Sequence, residues 1–273
     1  TFWAGAGTFT YGTSTLVMAK SGTQTINYIA GEDIYNLTVN DGSTTQLFCT
    51  NDGGGQVDIY GDLTVNEKLK PHASSGNTSV SIKAAGKTIT IGSDVRTTAV
   101  AELYRLLFNH SGSSNVPELT AARIICDSSS TVVATGDLTI TSELEVNSGT
   151  TFNANGNTIS THAIDGNGTG TLNLANSILN LNLASGYTLN FDSAFTLLGG
   201  PNAQINGRST TEHANCTFPS AGDFEVVGDV KWLKILSGGD LTVVGTVVDC
   251  SFADQTANIR QFHHTIDTAQ LID

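Results

Sequence analysis

Cationic side chains are scarce in this chain. Twelve Lys and Arg face 25 Asp and Glu, for a formal net charge of −13. Nucleic-acid binding needs clustered Lys and Arg to meet phosphates, so the balance argues against it, and also against docking on an anionic membrane surface. It favours solubility and leaves room for cations. Long apolar runs are missing too, and no stretch approaches the ~20 residues that a membrane-spanning helix requires. Proline occurs four times, methionine once and tryptophan twice. Stretches with helix-forming character are few. Only 14% of residues are charged, while 39% are hydrophobic, so the composition can supply a core. Thr, Ser, Asn and Gly dominate the remainder. Uncharged polar residues on the outside of many short strands fit a long, exposed β-structure better than a compact metabolic enzyme.

The four cysteines, Cys49, Cys126, Cys216 and Cys250, stand far apart. No pair has CxxC spacing, which argues against a zinc site. The spacing does not define disulfides, and the expectation is four small side chains buried in the core. The chain begins at Thr1 without a basic-then-apolar leader, as a processed protein or a fragment would.

Against this background one repeat stands out. Asn36-Leu37-Thr38-Val39-Asn40, Asp62-Leu63-Thr64-Val65-Asn66 and Thr88-Ile89-Thr90-Ile91-Gly92 align without gaps at an offset of 26 residues. Each alternates apolar and polar residues, the pattern of a half-buried strand. A strand recurring at a constant period reads as one coil stacked on the next, so that neighbours share the apolar face. The expected fold is all-β, a parallel β-helix (β-solenoid). Two antiparallel sheets in a sandwich would also give many short alternating strands, and the fixed offset is what favours stacking.

Four regions are expected: strands and first coils over 1–94, an interruption over 95–131, a second run of coils over 132–250, and a cap or partner-contacting tail over 251–273. In the interruption, Ala99, Val100, Leu103, Leu106 and Leu107 lie at helical spacing and predict a short amphipathic helix over 95–110. In the second run, Gly136-Asp137-Leu138-Thr139-Ile140 and Gly239-Asp240-Leu241-Thr242-Val243 repeat Gly61-Asp62-Leu63-Thr64-Val65. Thr151-Phe152-Asn153, Thr171-Leu172-Asn173 and Thr188-Leu189-Asn190 suggest shorter coils, with Asn153, Asn173 and Asn190 stacked in one ladder.

The runs Gly7-Thr8-Phe9-Thr10, Gly22-Thr23-Gln24-Thr25-Ile26 and Ile34 to Asn40 resemble segments of phage and bacterial surface β-helix proteins. So do Gly136 to Ile140 and Asn155-Gly156-Asn157-Thr158-Ile159. The resemblance implies a virion-surface or extracellular protein: a tail fibre, tailspike or head-attached fibre. Such a protein would be homo-oligomeric, often trimeric, would dock on other virion proteins, and could meet a host-surface glycan. No active-site signature of an enzyme family accompanies it. The expected role is therefore structural and adhesive, with a tailspike-type polysaccharide depolymerase or a bacterial surface adhesin as alternatives.

A depolymerase would need two carboxyl groups, about 5–5.5 Å apart for retention or about 6.5–9.5 Å for inversion. Asp41 and Glu67 are equivalent under the 26-residue offset and should be neighbours. Asp223 and Glu225 share a strand face, as do Glu143 and Glu145. The alternative for all of them is a solvated acidic face. Asp165, Asn167 and Thr169 alternate with glycine in a way that could hold calcium, the only cofactor the chain suggests, or form a plain turn. Phe2, Trp3, Phe9 and Tyr11 form an aromatic cluster, either an assembly surface or a hydrophobic cap. His263 and His264 would point to opposite faces of a strand, and one could meet its copies at a threefold axis.

Overall fold

The computed structural model describes residues 2–3, 12–19, 21–28, 33–40, 43–49, 56–66, 68–71, 79–92, 103–181, 188–192 and 194–198. It also describes the strands of 204–206, 214–218, 224–227, 230–235, 240–244, 247–252, 258–262 and 271–272. Every regular element among these residues is a strand. The strands pair in parallel, coil upon coil, so the chain is a β-solenoid and not an antiparallel sandwich. Two compact units divide it, Thr1–Val132 and Val133–Asp273.

Three parallel sheets build the first unit. One runs through Phe2–Trp3, Gly22–Tyr28, Ser43–Cys49 and Lys68–Pro71. A second joins Thr15–Met18, Asn36–Val39, Leu63–Val65 and Ile89–Ile91. The third runs through Asp33–Ile34, Gln56–Ile59, Ser79–Ile82, Leu103–Asn109 and Leu119–Asp127. Parallel in-register pairing places like residues over like. Leu37, Leu63 and Ile89 form one inward row and Val39, Val65 and Ile91 the next, all buried. Ile34, Ile59, Ile82 and Phe108 form another such row, and Val57, Val80, Leu106 and Ile124 lie beside it. Burying such a side chain contributes about 1.5–3 kcal/mol each, and stacking lets each coil use its neighbour's apolar face for that purpose. Cys126 is buried in this core and forms no disulfide.

The helix expected over 95–110 is not formed where the structure describes it: Leu103–Asn109 is a strand. Helical spacing drew on Leu103, Leu106 and Leu107 and left Phe108 and His110 aside. In the fold Leu106, Phe108 and His110 are buried, while Arg105, Leu107 and Asn109 are half-exposed. That is a period of two, and the strands of residues 79–82 and 119–127 on either side complete its hydrogen bonds. Residues 95–102 of the expected helix lie outside the described residues.

The corner between the third and second sheets lengthens from coil to coil. Tyr35 and Asn36 separate Ile34 from Leu37; Tyr60, Gly61 and Asp62 separate Ile59 from Leu63; residues 83–88 separate Ile82 from Ile89. Register is therefore 26 residues for Leu37 and Leu63 but 25 for Ile34 and Ile59. Gly61 is the added residue of the middle corner. A Cβ there would collide with the Asn36 side chain and come within 2.7 Å of the Tyr35 carbonyl oxygen.

In the second unit, Leu138–Val146 pairs with Thr158–Gly166, with a register shift between Ile140 and Glu143. The Thr158–Gly166 strand then pairs with two shorter ones, its first half with Ile178–Asn180 and its second with Thr188–Phe191. A separate sheet stacks Thr151–Asn153, Thr171–Asn173 and Thr196–Leu198. Asn153 and Asn173 are thus neighbours, as expected, but Asn190 is not in their ladder. It is the register partner of Asp165, and Leu198 takes the place beside Asn173. Strands from Gln204–Asn206 to Leu271–Ile272 continue the parallel pairing.

Turns in this unit stack as well as strands. Asn147 to Thr150, Asn167 to Gly170 and Asp192 to Phe195 are each closed by a backbone hydrogen bond of 2.9–3.1 Å. Asn155 (φ 52°) and Gly156 (φ 80°) give the turn from Ala154 to Asn157 two left-handed central residues, the demand that Asn-Gly meets at least cost.

Candidate functional site

The outward face of the third sheet in the first unit holds the densest mixture of ionisable and aromatic side chains among the described residues. Because Val57 and Ile59 point into the core, Gln56, Asp58 and Tyr60 must point out. In-register pairing extends each of these positions into a row. Asp33, Asp58 and Ser81 form the central row. Tyr35, Tyr60 and Lys83 follow Ile34, Ile59 and Ile82 and flank it on one side, where the Tyr60 and Lys83 amides donate to the Ile34 and Ile59 carbonyls at 3.0 and 2.9 Å. Gln56, Ser79, Arg105 and Arg123 flank it on the other.

Asp33 and Asp58 are the close carboxylate pair of this site. As register partners they are one coil apart, about 4.8 Å between strands. Both are half-buried. Asp58 accepts a 2.6 Å hydrogen bond from Gln56 Nε2, and its other oxygen lies 3.6 Å from Lys83 Nζ. Burial, and then the neighbouring Asp58, push the Asp33 carboxyl above its usual range, with Lys83 pulling the other way. Ser81 completes the row with a side chain fully buried and an Oγ that has no hydrogen-bond partner. At the edge of the site Lys87 Nζ sits 5.6 Å from the centroid of the Tyr35 ring, reaching across the coil where Gly61 has no side chain.

The expected site residues fall differently. Asp41, Glu67 and Asp223 lie outside the described residues, as do Phe9, Tyr11, His263 and His264. Glu225 lies in the strand Phe224–Val227, in register with Gln204 and Thr242. Phe2 and Trp3 form a short strand paired with Ile26 and Asn27. Glu143 and Glu145 share the outward face of their strand, with Leu144 and Val146 buried between and beyond them.

Asp165, Asn167 and Thr169 sit at the stacked corner of the second unit, and the structure ties them to neighbouring coils. Asn167 Nδ2 donates to Asn147 Oδ1 at 3.0 Å, and the Thr169 and Ser148 hydroxyls are 3.0 Å apart. The Gly168 amide donates to Asp192 Oδ2 at 2.8 Å. These bonds are those of a turn locked to the turns on either side. Among the described residues no three His, Cys, Asp or Glu side chains gather as metal ligands would.

The Asp33–Asp58 pair escaped the sequence pattern because the 26-residue offset places Asp33 opposite Ile59. A slip of one residue exchanges the two faces of a strand. The signal was present in the corner: counting one more residue between Ile59 and Leu63 than between Ile34 and Leu37 would have restored it.

Fold and site together define a parallel β-solenoid that bears a mixed polar and aromatic face. The chain matches no protein-family model, no curated protein and no solved structure.

Proposed function

We propose that this chain is a non-enzymatic structural component of a phage virion surface, a fibre, spike or head-decoration protein that works in assembly or adhesion. It assembles as a homo-oligomer, docks on other virion proteins and is exposed outside the cell. The observation that carries the reading is where the outward polar groups go. Asn36 Oδ1 accepts the Asp62 amide at 2.7 Å, and Asp62 Oδ1 accepts the Thr88 amide at 2.9 Å, each bond linking one coil to the next. Asp137 does the same for Thr158 at 2.7 Å, and Asn167 bonds Asn147. Side chains committed in this way stiffen a scaffold and leave few groups for chemistry. The resemblance to phage surface β-helix proteins supplies the setting.

A second reading, a tailspike-type depolymerase, draws on the Asp33–Asp58 pair, whose one-coil separation approaches the spacing of a retaining glycosidase. Immunogold labelling of purified particles with antibody to this chain tests the first reading: surface label supports it, and particles without label contradict it. Release of reducing ends from host polysaccharide by the purified chain would move the assignment to the second.

A further inference from the structure

Asp58 and Lys83 belong to adjacent coils of the first unit. Asp58 lies in the strand Gln56–Ile59, and Lys83 directly follows the strand Ser79–Ile82 that pairs with it. The Lys83 amide donates to the Ile59 carbonyl at 2.9 Å, so the two backbones are fixed where the side chains start. Lys83 Nζ then stands 3.6 Å from Asp58 Oδ2, with the two side chains only 20% and 18% exposed. The Asp58 oxygens differ. Oδ1 accepts a 2.6 Å hydrogen bond from Gln56 Nε2, while Oδ2 faces the amine. A second carboxyl, Asp33, is the register partner of Asp58 and feels the charges of both Asp58 and Lys83.

We propose that Lys83 and Asp58 condense to an amide, a covalent tie between adjacent coils, with Asp33 relaying the protons. This goes beyond the structural role proposed above and does not depend on where the chain is displayed.

An ammonium and a carboxylate hold every atom of an amide and a water, so the reaction needs no other reactant. Lys83 gives one proton to Asp33, and the lone pair of the freed amine attacks Asp58 Cγ to form the C–N bond. Charge that develops on Oδ1 is met by the Gln56 N–H already aimed at it. Asp33 passes its proton to Oδ2, takes a second from the nitrogen and delivers that one too. The C–Oδ2 bond breaks, and Oδ2 leaves as water. Lysine withdrawn from water is a usual nucleophile in proteins. Stacked strands hold the two groups together, which replaces a bimolecular encounter. A raised carboxyl at Asp33 suits a relay that must both take and give protons near neutral pH. The product restricts the unfolded chain as any covalent tie does.

The test is mass spectrometry of the full purified chain after days at neutral pH. The expected result is an intact mass lower than the sequence mass by one water. Protease digestion should yield a branched peptide that joins the Asp58 and Lys83 segments. Lys83→Arg keeps the charge, cannot form the amide and should show the full sequence mass. Asp33→Asn should reach the same linked product more slowly, by about tenfold or more after refolding, the scale of a lost proton relay. A parent chain at full mass with no branched peptide would overturn the proposal, and this outcome needs no variant to fold. A water loss that persists in Lys83→Arg would also overturn it, since the loss then arises elsewhere. Linkage as fast in Asp33→Asn as in the parent would overturn the part given to Asp33. Presence of the chain on particles is decided separately by the labelling experiment.

Discussion

Asn36 and Asp62 are one coil apart, and the side-chain oxygen of the first accepts the backbone N–H of the second at 2.7 Å. Asp62 repeats the act for Thr88. The Gly-Asp-Leu-Thr-Val repeat thereby acquires a physical meaning. Its Asp closes the corner of the following coil, and its Leu and Val enter the core.

Asp62→Ala should therefore destabilise the first unit by about 1.5–3 kcal/mol, the range for a hydrogen bond to a charged group, less what exposure of this residue to water returns. Asp62→Asn keeps an acceptor and should lose much less. Thermal unfolding of the two variants beside the parent checks the order. Equal losses in both would contradict the role given to the oxygen.

Gly61→Ala should be more damaging than Gly86→Ala. At Gly61 a Cβ meets the Asn36 side chain and the Tyr35 backbone, whereas at Gly86 it meets nothing within 4 Å and only the left-handed φ of 68° opposes it. The second change should cost about 1 kcal/mol. The first should exceed that, because backbone of the next coil cannot move aside cheaply. Melting temperatures of both variants decide the order.

His110 is buried, with Nε2 2.9 Å from Ser114 Oγ and its ring edge-on to Phe108 at 6.3 Å between centroids. Burial holds its pKa below the usual 6.5. The folded state then prefers the neutral ring. Its stabilising contribution is complete above pH 6.5 and is lost as pH falls through the lower folded value. Melting temperature should fall between pH 7.5 and pH 5, and His110→Gln should flatten that slope. An unchanged slope in the variant would contradict this.

Asp33 has the opposite sign. Its folded pKa lies above the ordinary value of 3.8, so the folded state binds the proton more tightly than the unfolded chain does. Stability from this group is complete below pH 3.8 and is lost as pH rises through the folded value. Asp33→Asn, which carries no charge, should gain stability relative to the parent at neutral pH. A loss on replacement there would contradict the assignment.

Much of the solenoid was legible in the chain. The alignment of Leu37, Leu63 and Ile89 predicted a register that the structure reproduces pair by pair. So did that of Thr151 and Thr171. For Leu37, Leu63 and Ile89 the residues added at the lengthening corner are offset by a shorter stretch elsewhere in the same coil, so sequence offset and spatial register coincide. The failures mark places where corner length changes. Asn190 sits beside Asp165 because the coil is longer there than the preceding one. Asp33 meets Asp58 because the Tyr60-Gly61-Asp62 corner holds an extra residue. The helix expected over 95–110 failed for another reason. Leu103, Leu106 and Leu107 satisfy a period of 3.6, but the pairing edges of neighbouring coils reward a period of two.

The central claim is that this stiffened solenoid belongs to a virion surface, and quantitative mass spectrometry of purified extracellular particles tests it most directly. The account predicts the chain on the particles at a fixed stoichiometry, low for a tail or fibre component and high for capsid decoration. Particles that lack the chain altogether would contradict it.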